Sequence, residues 1–327
     1  MIILTVVLGG LHHRIAFSQS TTANTRLPEV RAGDREPVDV AHAKDDGRAE
    51  KQRGLEIVFP LRGNFHARLF SVDSYEVNKH EQTFILVHGF LSKPSAWAED
   101  MGADLRKRFP KANILLLDWT ELSSNIDYFG WFNSEGAVAS AVITGEKLAW
   151  VLQTKLDVRI GTLHLIGHSL GAHICGIAGA EIASATGRSV AQITGLDPAK
   201  QMFENQPDRC RVDCSDAKRV VIIHTSKEFG LAIPSGHLDL YFYPNSDESQ
   251  HGYTDPVTNH NFATKLLTHL IRGAAFVQHG DSSVVEKEVE FDDIFETSGN
   301  AEIVADTLSG ENSSIMNLLV GKRVAAK

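Results

Sequence analysis

The sequence predicts an α/β protein built on a mostly parallel central sheet with helices on both faces. Two observations carry this reading. Apolar runs of strand length, nearly unbroken rather than alternating, recur at 55–61, 83–88, 113–118, 162–167, 190–196, 220–224 and 237–243, the pattern of strands buried on both faces. Helix-length stretches stand between several of them, at 135–156, 170–185 and 261–276, and strands alternating with helices give a parallel sheet. With 43% hydrophobic and 22% charged residues in 327, the chain has the composition of a globular protein. Lys and Arg number 32 against 41 Asp and Glu, a formal charge of −9. That balance argues against nucleic acid or an anionic membrane surface held by charge.

Taken in order, residues 1–18 read as a signal peptide: a short apolar run, then Ala16-Phe17-Ser18 with small residues at the positions a signal peptidase inspects. The expected localisation is secreted and extracellular. No apolar run approaches the roughly 20 residues of a membrane span. Residues 19–54 are densely charged in both signs with few aliphatics, so they cannot offset their ordering entropy by burial and are expected to form a flexible leader. From Leu55 the chain becomes periodic, without internal repeats, and residues 55–327 are expected to form one domain. Three cysteines, Cys175, Cys210 and Cys214, are too few for a disulfide scaffold and lack a CxxC pair. Cys210 and Cys214 either bridge locally or pack half-buried.

The chemistry enters at Gly167-His168-Ser169-Leu170-Gly171. A bare GxSxG match is weak, but this one follows the apolar run Leu163-His164-Leu165-Ile166 and precedes a helix rich in small residues, 172–180. Strand, sharp turn and helix make a nucleophile elbow, in which the glycines let strand and helix pass close to an exposed serine hydroxyl. A serine needs a histidine to take its proton and a carboxylate to fix the imidazole. The acid is expected at Asp197, which closes an apolar strand, and the carboxyl ends of parallel strands form the active edge. The alternative for Asp197 is a turn residue before Pro198. Of six histidines beyond Asp197, His224 and His237 read as structural strand-end residues, His269 as helix packing and His279 as remote. His251 and His260 both remain, on the loop before the last helix. The oxyanion is expected to meet two backbone amides, that of Leu170 and that of Phe90 in His88-Gly89-Phe90.

These residues resemble the animal pancreatic-type lipase family, which has the α/β-hydrolase fold. The resemblance runs through Val87-His88-Gly89-Phe90, Leu117-Asp118-Trp119, Leu165 to His173, Thr194 to Ala199, Arg211 to Ala217, Ile223-His224-Thr225, Gly236-His237-Leu238-Asp239 and Tyr243-Pro244-Asn245, in family order across roughly residues 55–275. It implies Ser169 as nucleophile, Asp197 as acid, His260 as base, and Phe90 and Leu170 as oxyanion amides. It also implies a calcium site at Asp208, Arg211, Asp213 and Asp216. Carboxylates and a carbonyl suit a hard cation, and a solvated acidic turn is the alternative. No cofactor is required for the chemistry; a structural calcium is the one candidate.

Departures from the family shape the expected substrate. Only 246–258 separate Pro244-Asn245 from Asn259-His260, with no bracketing cysteines, so the lid is essentially missing. The short loop 226–235 resembles sn-1 phospholipases and insect relatives. An open cleft, weak interfacial activation and tolerance of phospholipid or short-chain esters follow. Phe262 stands where the family commonly has a basic residue. The stretch after residue 276 is too short for the C-terminal β-sandwich of digestive lipases, so no colipase-type partner is expected. The resulting expectation is a secreted serine carboxylester hydrolase acting on triacylglycerol or the phospholipid sn-1 ester at a membrane or lipoprotein surface. The alternative is a non-catalytic lipid-binding or yolk-storage relative.

Overall fold

Parallel strands buried on both faces need helices on both faces, and the arrangement of the chain meets that demand. The computed structural model describes residues 2–8, 11–17, 55–72, 77–92, 96–124, 136–242, 256–273, 275–278, 287–289 and 301–309. Strands β1 (Ile2–Leu8) and β2 (Leu11–Phe17) form an antiparallel hairpin within a compact unit of their own, residues 1–32. They lie in the span read above as a signal peptide. The leader 19–54 falls outside the described residues.

The second unit opens with the antiparallel pair β3 (Glu56–Arg62) and β4 (Phe65–Ser71). Then come β5 (Thr83–Val87), α1 (Ala96–Arg108), β6 (Asn113–Asp118), the one-turn α2 (Thr120–Ser123), α3 (Ala137–Thr154), β7 (Leu163–His168), α4 (Leu170–Thr186), β8 (Gln192–Leu196), β9 (Val220–His224), β10 (Leu238–Tyr241), α5 (Pro256–Ile271), β11 (Ala275–Gln278), β12 (Lys287–Val289) and β13 (Ala301–Ser309). The sheet order is β12-β11-β13-β10-β9-β8-β7-β5-β6-β4-β3. From β6 through β13 every neighbouring pair is parallel, and both margins turn antiparallel. The expected mostly parallel sheet is present.

Alternate residues of each central strand serve opposite faces. Phe84, Leu86, Ile114, Leu116, Ile166, Val221 and Ile223 pack with Met101 and Leu105 of α1 and Phe262, Leu266 and Leu270 of α5 in one buried cluster. Helices α3 and α4 pack together beside the other face, α4 against β7 and β8.

Several elements differ from the sequence expectation, among them strands β11, β12 and β13, which lie beyond the last run read as a strand. Strand β4 was not foreseen, because it buries only Ala67 and Leu69 and its polar margins hide the period. Helix α1 was not foreseen either; its apolar stripe, Ala98, Met101 and Leu105, is interrupted by Glu99, Asp100 and Asp104. The last helix lies earlier than expected, over Pro256–Ile271 rather than 261–276. Pro256 suits a first helical position, where a missing N–H costs nothing. Gly273 adopts φ +95° just beyond the helix, a conformation glycine accepts freely, and 275–278 then continue as β11. His260 therefore sits on a helix, not on a loop. Among the described residues no helix is long and apolar enough to cross a membrane.

Helix α5 is anchored to α1 by an ion pair between Arg272 Nε and Asp104 Oδ2 at 2.6 Å, with Lys107 Nζ on Asp104 Oδ1 at 2.9 Å. Burial opposes the charge on Asp104, yet these two cations hold its carboxyl below the usual range. A carboxyl lowered in the fold adds stability that is present above its unfolded value and lost as pH falls. Asp104→Asn is expected to lower stability by about 1 kcal/mol at pH 7, since both cations are partly exposed. Thermal denaturation should show the difference shrinking as pH falls below the ordinary carboxylate range; a deficit independent of pH from neutrality down through that range would contradict the ion-pair account.

Candidate active site

The carboxyl ends of β5, β6, β7, β8 and β9 bring His88-Gly89, Asp118-Trp119, Ser169, Asp197 and His224-Thr225 to one edge of the sheet. Ser169 occupies φ +57°, ψ −121° between β7 and α4, a region costly for a residue with a side chain. The strain is held from both sides. Ser169 N–H donates to the Leu196 carbonyl at 3.0 Å, and its own carbonyl accepts from Ala172 N–H at 3.1 Å. The flanking glycines are required by close approach: a Cβ on Gly167 would run into the Gly171 carbonyl, and one on Gly171 into the Val87 carbonyl. Because α4 begins at Leu170, its amide is among the first-turn donors that a helix cannot satisfy internally.

Asp197 follows β8 with φ +44° and has no solvent exposure. A buried carboxylate must be fully hydrogen-bonded. Its Oδ1 accepts Thr225 N–H at 2.7 Å and Ser226 N–H at 3.1 Å. Its Oδ2 lies 2.6 Å from His260 Nδ1, which places the imidazole proton on that nitrogen and leaves Nε2 as an acceptor. The His260 side chain is 14% exposed, with the rings of His168 and Phe229 at 4.8 and 5.8 Å. Of the two histidines left open by sequence, His260 meets Asp197; His251 lies outside the described residues.

The turn after β5 is fixed by His88. Trp119 N–H donates to His88 Nε2 at 3.2 Å, so the ring proton is on Nδ1, which donates to the Gly89 carbonyl at 3.1 Å. The Trp119 indole N–H donates to the His88 carbonyl at 2.8 Å, and the two rings stack. In a trans peptide the carbonyl and the following N–H point opposite ways, so holding the Gly89 carbonyl also orients Phe90 N–H. Gly89 is needed because a Cβ there would lie 2.7 Å from Ser169 Cβ and 3.3 Å from its Oγ.

Polar groups that sequence reasoning left in structural roles complete the edge. His224 spans Leu231 O (2.9 Å) and Asp239 Oδ1 (2.8 Å), and Asp239 also accepts Ser235 N–H and Gly236 N–H at 3.0 Å each. This closes the loop whose amides grip Asp197. His173 sits between Ala199 O (2.8 Å) and Val212 N–H (3.2 Å), stacked on Phe203. The two amides on Asp197 leave no trace in side-chain sequence, but Asp239 lay within the motif Gly236-His237-Leu238-Asp239.

The implied calcium residues lie on two 3₁₀ turns, Asp208–Cys210 and Cys214–Asp216. Asp208 is engaged by Arg211 Nη2 at 2.6 Å, and Asp213 and Asp216 cap each other's turn through backbone amides. Burial pushes Asp216 up to about 8, the response of a carboxyl short of counter-charge, which is the feature here that fits a cation. Among the described residues no three His, Cys, Asp or Glu side chains converge as a metal cluster. None of Cys175, Cys210 and Cys214 is in a disulfide, and Cys175 is buried; the local Cys210–Cys214 bridge is not formed.

A family model described as Lipase matches residues 61–282. Pancreatic lipase-related protein 2 of Sus scrofa is 33% identical over 195 residues, covering 56% of this chain and 38% of that protein. Pancreatic triacylglycerol lipase of Equus caballus is 34% identical over 193 residues, covering 56% and 39%. The match thus spans about two fifths of these relatives. Among solved structures, the monoclinic form of a Pyrobaculum calidifontis esterase covers 54% of this chain and 66% of its own, at 16% identity and a TM-score of 0.33.

Three imidazoles near this edge and along β7, His168 and His173 buried and His164 half-buried, are held neutral. Burial brings His164 down to about 4 and His168 and His173 to about 3. A histidine depressed in the fold gives stability that is complete above its unfolded value near 6.5 and lost as pH falls towards the folded value. Each group should contribute a slope of up to about 1.4 kcal/mol per pH unit in that window. The thermal midpoint is expected to fall steeply from pH 6.5 to pH 4.5, and His173→Gln to flatten the fall. A midpoint constant over that range would contradict the assignment.

Proposed function

The chain belongs to the lipase family, and from that premise and the site geometry we propose that it is a secreted serine carboxylester hydrolase acting on lipid esters. Ser169 Oγ attacks the ester carbonyl while His260 Nε2 takes its proton. Asp197 holds the imidazole by the Nδ1–H bond and offsets the charge the ring acquires. The developing oxyanion is met by the amides of Leu170 and Phe90. His260 returns the proton to the leaving alcohol, which departs and leaves Ser169 acylated. Water deprotonated by His260 then cleaves the acyl-enzyme, releasing the fatty acid and restoring the serine. The observation that carries this reading is the 2.6 Å contact of His260 Nδ1 with a wholly buried Asp197, beside a serine on a strained turn.

The substrate proposed is a triacylglycerol or a phospholipid at its sn-1 ester, met at a membrane or lipoprotein surface. The triacylglycerol arm is supported by the name of the Equus caballus relative. The phospholipid arm rests on the short loop 226–235 and on the brevity of 246–258, of which 246–255 fall outside the described residues. A calcium ion at the carboxylates of Asp208, Asp213 and Asp216, with the backbone carbonyl of Arg211, is proposed as structural support only. It would supply the counter-charge Asp216 lacks and takes no part in ester cleavage.

Purified protein exposed to a fluorophosphonate probe is expected to label on Ser169, and Ser169→Ala to abolish labelling. His260→Ala should cut hydrolysis of short-chain esters, phosphatidylcholine and triacylglycerol emulsions by at least about 10³-fold, with His251→Ala near the unmodified rate. No Ser169-dependent labelling would leave the lipid-binding reading in place of the enzyme. Loss with His251→Ala alone would move the base.

A further inference from the structure

Within Gly167-His168-Ser169-Leu170-Gly171, the glycines permit the close approach, Ser169 holds the turn and Leu170 opens α4. His168 alone has no part in the proposed chemistry, although it is a polar side chain only 5% exposed. Burying an imidazole at that position has a cost unless it makes a needed bond. Its Nε2 lies 3.1 Å from the backbone carbonyl of His260. A carbonyl can only accept, so Nε2 carries the proton and donates. The two rings are 4.8 Å apart and inclined at 45°, and the Trp97 indole meets His168 edge-on at 6.2 Å.

Two bonds therefore reach His260 from the sheet edge. Asp197 grips the ring at Nδ1, which sets its tilt and tautomer. His168 grips the main chain of the same residue, and His168 is joined covalently to Ser169. The buried Phe262, Leu266 and Leu270 and the Arg272–Asp104 pair hold the body and far end of α5, whereas the ring bond alone would let its first turns tip as the imidazole pivoted about Asp197. The main-chain bond removes that freedom. Burial, and next the facing His260 ring, keep His168 neutral by lowering it to about 3, so no second cation opposes the proton that His260 must accept.

We propose that His168 is a positioning residue, whose Nε2–H bond to the His260 carbonyl sets the distance between the Ser169 strand end and the helix carrying the base. The proposal rests on the reading of Ser169 as nucleophile and His260 as base. Misplacing a reacting group by about 1 Å can cost about 10²-fold in rate, which is the scale at stake.

The test compares His168→Phe, which keeps a ring of similar size without the donor, with His168→Gln, whose amide N–H reaches near the former Nε2. In the unmodified chain Ser169-dependent fluorophosphonate labelling establishes the underlying reading; its absence overturns both. Given labelling, His168→Phe is expected to lower the labelling rate and kcat about 10- to 100-fold with KM within about twofold. The far-downfield proton resonance of the His260–Asp197 bond should shift or broaden in that variant, and His168→Gln should recover most of the rate and the resonance. If His168→Phe fails to fold, His168→Asn, whose amide falls one bond short, takes its place against His168→Gln. Labelling, kcat and resonance unchanged in the donor-less variant would overturn the positioning role while leaving the hydrolase reading intact. So would a Gln variant as impaired as the Phe or Asn variant.

Discussion

A carboxylate with no solvent exposure sets the terms for this fold. Asp197 stands at the end of β8, and an ionised side chain there is tolerable only if its lone pairs are occupied. Two are taken by the amides of Thr225 and Ser226 and another by His260. The exit of β9 must therefore curl over Asp197, and α5 must present its second turn to the sheet edge, 63 residues further along the chain. The His224–Asp239 pair closes the first of these loops, and the Asp104–Arg272 pair anchors the end of α5 to α1. Polar groups around the site are in this sense consequences of one buried charge.

The second constraint is distance. For Ser169 to stand above the sheet, α4 must begin almost on top of β5 and β7, which the two elbow glycines allow and any larger residue forbids. The same crowding brings Gly89 against Ser169 and lets His88 and Trp119 lock the turn where the oxyanion amide is proposed to lie. Little at this edge is left to adjust when charge develops. Such preorganisation is the physical basis of electrostatic stabilisation.

Much of this was legible in sequence, for physical reasons. Buried parallel strands write continuous apolar runs, and a nucleophile elbow writes its glycines, so the central strands and Ser169 could be located directly. Asp197 was marked by closing such a strand. What escaped were contacts written in no local pattern. The edge strand β4 buries two side chains and carries no clear period. Helix α1 has a narrow stripe broken by acids. The choice between His251 and His260 depended on where α5 starts, and the helical role of Pro256 becomes plain only once the chain turns back over the sheet. The amides on Asp197 belong to the backbone of residues 225 and 226 and leave no side-chain signature. His168, hidden in plain view inside the motif, reads as a spacer until its ring is found on the His260 carbonyl.

The central claim is that a clamped His260 turns Ser169 into a nucleophile that is transiently acylated. Rapid mixing with an activated p-nitrophenyl fatty ester, followed by mass spectrometry of the quenched protein, addresses it most directly. The account predicts a burst of about one p-nitrophenol per chain, with the acyl group mapped to Ser169. A linear release with no acylated peptide, or an acyl group carried elsewhere, would contradict it.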